Sequence, residues 1–412
     1  MFRMGPLKNS IQGYAWGSKT AIQDLLNLPE ESRGTPMAEL WMGAHPLAPS
    51  SVFYQGEWRL LDGLIAQDPE AILGKAVCDL YGGKLPFLFK VLAAAQPLSI
   101  QVHPDRDRAA QGFLRENRQG LDLKNPARCY KDDSHKPELL CALTPFRALK
   151  GFRPVHEALG YLETLVPSSL SAELDRLRDS PDGRGLRAFY ASLLGLSNEK
   201  REEVAREAAQ NARAGAAENQ VFSWVGRLGT AYPGDMGMLS PAIMNLILLA
   251  PGEALFIDAN ELHAYLDGVG VEVMANSDNV IRGGLTPKHV DTAQLLEVVD
   301  FRPGHAGILL PEETGPNEKT YPCEAREFLL NAVSVTLDHP LEIKGNKGLE
   351  IFLCVDGEGV FEDGLTREEV SFARGESILV AACVKDYRLT GAASLYRVSV
   401  PILFSGEERI PA

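Results

Sequence analysis

The sequence predicts a mainly β protein with a helical insertion, built from antiparallel jelly-roll barrels. Three features of its 412 residues support this. Short apolar runs bounded by Pro and Gly fill the first 150 or so residues, PFLFKVLAAA (86–95) and PLSIQVHP (97–104) being the clearest. From about 155 to 230 the texture changes to Ala, Leu, Glu and Arg with apolar residues at helical spacing, as in NEKREEVAREAAQNARAG. Strand texture resumes at MNLILLAPGEALFID (244–258) and again in LEIFLCVDGEGVF, GESILVAACV and SLYRVSV. The expected organisation is a principal β domain in two pieces, 1–152 and 236–325, a helical domain over 153–235, and a second β domain over 326–412. Pro251-Gly252-Glu253 and Gly375-Glu376 form a faint echo between the two β regions, the one internal hint of duplication.

Composition narrows the class of function. Hydrophobic residues make up 45% and charged residues 23%, the balance of a globular chain. No window approaches the roughly 20 apolar residues of a membrane span. The N-terminus, MFRMGPLKNSIQGYAWGS, lacks the apolar stretch and cleavage site of a secretory signal, so the cytoplasm is the expected compartment. The six cysteines contain no CxxC pair and are expected to be reduced, mostly buried thiols. A net charge of −14 repels nucleic acid and anionic lipid, and neither is an expected partner. An anionic small substrate requires cations gathered in one cleft.

Gln101 and His103, in IQVHPD, are two apart and share one face of a strand. For that pair alone, a hydrogen-bonded core histidine is the stronger reading. Glu138, in SHKPELL, follows a proline that favours an extended approach. His263, in LFIDANELHAYLDG, is expected in the turn after a strand. Two imidazoles and one carboxylate suit zinc or a similar divalent ion. A carboxamide is an uncommon zinc ligand, so chemistry alone leaves Gln101 the weakest member.

The blocks IQGYAWGSKTAI (11–22), AELWMGAHPLAPS (38–50), LPFLFKVLAAAQPLSIQVHPD (85–105), SHKPEL (134–139), PGEALFIDANELHAYLDG and VEVMANSDNVIRGGLTPKHVD (271–291) resemble, in order, those of the type I mannose-6-phosphate isomerases. The resemblance spans roughly two-thirds of the chain. It implies cupin barrels around a helical domain, and interconversion of mannose 6-phosphate and fructose 6-phosphate through an enediol. It also implies one zinc ion per chain, held by Gln101, His103, Glu138 and His263. Departures are small: Ser134 stands where the family often has Asn, and Glu261 where a proline is common. The last β region has His339 as its sole histidine, so a second metal site of this type is not expected there.

Such a reaction needs stabilisation of an oxyanion, a proton shuttle and a phosphate grip. A divalent ion with one carboxylate and three neutral ligands leaves (+2 − 1) a charge of +1, which favours an enediolate. Arg282 and Lys288 are the expected phosphate partners, with Lys90 and Lys136 beside the other ligand segments. Ser99 is a candidate phosphate donor and Trp16 a candidate apolar wall. His135 and Lys136 resemble family residues implicated in ring opening and proton movement. Asp278 and Glu272 are further carboxylates of the expected site. Lys136 and Arg282 rank first for catalysis, and the proton-transferring base stays unassigned. His45 is read as structural. The expected partner is a small sugar phosphate and the expected state a monomer. The alternatives are a mononuclear cupin oxygenase and a non-catalytic sugar-phosphate-binding cupin. The first would not need the Arg282 and Lys288 cluster, and the second should lack ligands or shuttle residues.

Overall fold

The computed structural model describes residues 1–402, so positions 403–412 of the expected 326–412 unit lie outside the described residues. Two antiparallel sheets, of 11 and 10 strands, make up the β part. The 10-stranded sheet is organised around the 13-residue strand His263–Ala275, which pairs in turn with Ile100–Val102, Phe146–Phe152, Glu138–Ala142 and Phe87–Ala94. The 11-stranded sheet gathers the strands after Glu312 and also takes in Met4–Lys8, which pairs with Ser377–Val380 and with Ser51–Tyr54.

Strand alternation explains how one segment serves two environments. In Phe87–Ala94 every residue is buried. Phe87, Phe89, Val91 and Ala93 face a core shared with Tyr321, Ile351, Leu353 and Val398 of the other sheet. Lys90 lies on the opposite face, in register with Glu272 and Trp41. A strand covered on both sides reads as a continuous apolar run, which is why this one was legible in sequence.

The helical block runs from Val155–Leu165 to Gln220–Ala231, as its composition predicts. Its apolar faces pack on Ile100, Val102, Leu149, Phe152 and Ile281, behind the strands that carry the candidate ligands. The first 150 residues hold more helix than expected: Leu61–Gln67, Pro69–Leu73, Lys75–Tyr81 and Arg106–Arg118 interrupt the strands. Asp105 starts the last of these by accepting a bond from the Arg108 N–H at 2.9 Å, ending the strand segment just beyond His103. No helix among the described residues is long and apolar enough to cross a membrane.

The two Gly-Glu turns share one construction. Gly252 and Gly375 both have φ of +87°. Glu253 accepts from the Ala250 N–H at 2.8 Å, and Glu376 from the Ala373 N–H at 2.9 Å. Each then leads into a short strand, Ala254–Ile257 and Ser377–Val380.

Gly268 is the corner of the central strand. Before it the strand pairs with Phe146–Phe152, with a register shift between Tyr265 and Asp267; from it onward the partner is Phe87–Ala94. Its φ is +127°, and a Cβ would stand 2.6 Å from Phe146 Cδ2 and 2.8 Å from Phe146 Cα. Gly268→Ala is therefore expected to destabilise the protein by about 2–5 kcal/mol through backbone strain and overpacking. Gly56→Ala, at a turn with open space and φ of +82°, should cost only about 1–3 kcal/mol. Urea denaturation of the two variants checks the difference.

Candidate metal centre and its surroundings

Three strands bring the ligand candidates together. Glu138 opens Glu138–Ala142, and His103 follows Ile100–Val102. His263 is the first residue of the central strand rather than part of the preceding turn, directly opposite Gln101. Nitrogen and oxygen atoms of His103, Glu138 and His263 all lie within 4.8 Å of one another, and the three residues are buried.

The hydrogen bonds fix which imidazole nitrogens carry protons. His103 Nδ1 lies 2.7 Å from the Asn279 carbonyl oxygen, and His263 Nδ1 lies 2.9 Å from that of Glu261. A carbonyl only accepts, so both Nδ1 atoms are donors and each neutral ring turns an Nε2 lone pair inward. Those lone pairs meet a carboxylate: His103 Nε2 is 3.3 Å from Glu138 Oε1, and His263 Nε2 is 3.5 Å from Glu138 Oε2. His103 Nε2 is buried and makes no hydrogen bond.

Lone pairs held against a carboxylate repel unless a cation lies between them. Donor atoms each about 2.0–2.2 Å from a tetrahedral zinc ion stand roughly 3.4 Å apart, close to the spacing found here. The donor set therefore fits a divalent metal. Gln101 is half-buried and in register with His263.

The electrostatics support neutral imidazole beside charged carboxylate. Burial, and then the charge of Lys136, push His103 from its ordinary 6.5 down to about 4. Burial would raise Glu138, but Lys136 and His103 hold it well below the usual carboxylate range. Lys136 Nζ is 2.9 Å from Glu138 Oε1.

Beside this centre lies a second charged group. Lys90 Nζ is 3.1 Å from Glu272 and 3.7 Å from Glu39, with the Trp41 ring centroid at 5.7 Å. Burial opposes its charge, but Glu39 and Glu272 together raise its pKa. Lys90 is thus balanced by carboxylates, unlike the cations on the Arg282 side. Arg282, in register with Gln101 and half-buried, has no carboxylate partner among the described residues. Burial, and then Arg282 and Lys131, lower the pKa of the exposed Lys288. Arg282, Lys288 and Lys131 form a cationic cluster that can receive an anion.

The remaining sequence candidates fall around these two groups. Trp16 stacks on Tyr14 at 5.7 Å and packs against a cluster containing Phe146 and Tyr265. Ser99 is half-buried just before Ile100–Val102. His135 bonds to Glu327, at 2.9 Å. Burial raises Asp278, but the nearby His45 and two lysines bring it below its usual range.

The structure adds contacts that sequence reasoning did not reach. His45, read as structural, has its Nε2 3.6 Å from Asp278 Oδ1, and its ring meets that of Trp41 at 4.9 Å. The buried Tyr265 hydroxyl has no hydrogen-bond partner among the described residues. Burial, then the charges of Glu272 and Glu138, raise its pKa. Its signal was available: residues two apart on a strand share a face, but His263 was read as turn. Asn279 left no signal of its kind. Its side chain accepts from the Lys131 and Asp132 N–H groups and donates to the Ser134 carbonyl, while its own carbonyl holds His103.

The fold and this cluster define a mainly β protein with a candidate metal-binding centre of the two-histidine, one-carboxylate type near a group of cations. A family profile described as "Phosphomannose isomerase type I, catalytic domain" matches residues 4–155. The mannose-6-phosphate isomerase of Salmonella typhimurium is 38% identical over 398 residues, covering 96% of this chain and 99% of that protein. The human mannose-6-phosphate isomerase is 33% identical over 419 residues, covering 92% and 94%. A zinc-bound mannose 6-phosphate isomerase crystal structure superposes with a TM-score of 0.89 at 37% identity, covering 97% of this chain and 100% of that one. The chain belongs to the mannose-6-phosphate isomerase family, type I.

The His103 shift gives a pH prediction for metal-free protein. The folded state keeps this ring neutral between about 6.5 and 4, where the unfolded chain's ring takes up a proton. The unfolded state then binds more protons, so stability present above pH 6.5 falls as pH drops towards 4. Urea melts across this range should show that loss, and His103→Gln should reduce it.

Proposed function

We propose that this chain interconverts mannose 6-phosphate and fructose 6-phosphate through a cis-enediol, using one zinc ion held by Gln101, His103, Glu138 and His263. The observation that carries the reading is the pairing of this donor set with a group of cations, Arg282 opposite Gln101 and Lys288 and Lys131 near it. The reaction needs charge stabilisation at the sugar's reacting end and an anion grip at its phosphate end. The relatives' substrate and the zinc in the matching crystal structure point the same way.

When bound, the divalent ion supplies Lewis-acid stabilisation of negative charge developing on a sugar oxygen. Arg282 and Lys288 hold the phosphate, Ser99 adds a hydroxyl donor, and Trp16 walls the sugar. Lys136 carries a proton beside Glu138, and His135 serves ring opening. Asp278, whose carboxylate lies 3.6 Å from His45, serves as a further base. The buried Lys90–Glu272–Glu39 group shapes the pocket floor and balances its own charge.

The proposed architecture is a cupin barrel in two segments, 1–152 and 236–325, the helical domain 153–235, and a cupin-like domain over 326–412. The matched Gly-Glu turns support descent of the two barrels from one duplicated unit.

A coupled assay of mannose 6-phosphate conversion tests the reading. Activity should vanish on chelation and return with zinc. Persistent activity would refute the metal role, and inactivity of the zinc-replete enzyme would refute the substrate. Arg282→Ala should raise KM about 10- to 100-fold, roughly 1.5–3 kcal/mol of charged hydrogen bonding.

A further inference from the structure

The His135 contact reaches across the molecule. Glu327 lies 192 residues away in sequence, in the loop entering Leu329–Val335, and is only 4% exposed. Its Oε1 receives His135 Nε2 at 2.9 Å and Arg106 Nη2 at 3.3 Å, while Oε2 accepts the Arg326 N–H at 3.1 Å. The loop is pinned on both sides of Glu327: the Tyr81 hydroxyl donates to the Arg326 carbonyl at 2.6 Å, and Phe328 is buried in the core between the sheets.

Burial raises the Glu327 carboxyl, but hydrogen bonds from His135 and from the Arg326 N–H help to bring it below the usual range, and with three donors around it the group is read as a carboxylate. A carboxylate only accepts, and a contact of 2.9 Å therefore puts a proton on His135 Nε2. Arg106 Nη2 and His135 Nε2 are 3.4 Å apart because both donate to one oxygen. A neutral ring with its proton on Nε2 keeps the Nδ1 lone pair available. Holding an imidazole in one tautomer and orientation is a known use of a buried carboxylate.

We infer that Glu327, from the C-terminal β region, is a positioning residue for the isomerisation: it fixes the His135 ring through Nε2–H and leaves Nδ1 to serve the sugar. The inference rests on the role proposed above for His135. It makes the C-terminal region part of the catalytic apparatus, since that region supplies the group that orients a residue three positions before Glu138.

The test uses full-length, zinc-loaded enzyme and the variants Glu327→Gln, Glu327→Ala and His135→Asn. The native protein should show a downfield ring N–H proton resonance, protected from exchange, that His135→Asn removes. Glu327→Ala should also remove it, and Glu327→Gln should move it upfield. Both Glu327 variants should lower kcat by about 10- to 100-fold, the usual effect of losing such an orienting partner, with KM for mannose 6-phosphate within about twofold and zinc content unchanged. Native kcat in Glu327→Ala, or survival of the resonance in it, would overturn the inference. Loss of zinc or of the folded state in both variants would also overturn it by making Glu327 a structural residue. If His135→Asn keeps native kcat, the fault lies in the role given to His135. If it is inactive while Glu327→Ala is fully active, only the role of Glu327 fails.

Discussion

The Glu138 carboxylate, buried between two imidazoles and a lysine, is the constraint around which the site is arranged. An ionised carboxylate removed from water is unfavourable unless neighbouring groups compensate, and leaving one unpaired costs about 3–5 kcal/mol. Lys136 answers part of that demand from two residues away. A neutral imidazole cannot answer it as a donor here, because the single ring proton sits on Nδ1 and is committed to a backbone carbonyl. The backbone carbonyls of Asn279 and Glu261 thus decide that the remaining compensation must come from a cation among three lone-pair donors. Asn279 has a double part, since its side chain also ties down the 131–134 loop that leads to His135, Lys136 and Glu138.

The acidic composition is consistent with an anionic substrate because the cations are sorted. Lys90 is as buried as a core residue and shares its charge with Glu39 and Glu272. Arg282 lacks such a partner among the described residues, and Lys288 and Lys131 lie close enough to affect each other. Counting basic residues near the ligand segments treats Lys90 and Arg282 alike; the register separates them. Glu272 falls opposite Lys90, whereas Arg282 falls opposite the neutral Gln101.

That contrast marks how far sequence could carry the reading. Strands buried on both faces and helices with strong apolar periodicity were legible, because burial imposes a pattern on neighbouring residues. The short helices Leu61–Gln67, Pro69–Leu73 and Lys75–Tyr81 were not, being too brief for periodicity to outweigh their glycines and proline. The candidate ligands were proposed through resemblance, while chemistry alone left the histidines ambiguous. The contacts of His45 and Tyr265 were not legible for a different reason. His45 depends on an Asp278 contact spanning more than two hundred residues, and Tyr265 on recognising that His263 begins a strand.

The placement of Met4–Lys8 shows that the two sheets are one construction. This N-terminal strand joins the sheet formed mainly by the last hundred residues, so that sheet is complete only when both ends of the described chain have met. The contact between sheets is also tied by polar groups. The Tyr321 and Tyr396 hydroxyls converge on the Cys141 thiol, on the strand that Glu138 opens, and Tyr321 donates to the Gly252 carbonyl. Gly252 belongs to the turn preceding Ala254–Ile257, which pairs with that same strand. The strand bearing the ligand carboxylate is therefore clamped from the sheet that also leads to Glu327. A displacement of the C-terminal sheet would disturb the position of Glu138 and the orientation of His135 together, although neither residue belongs to that sheet.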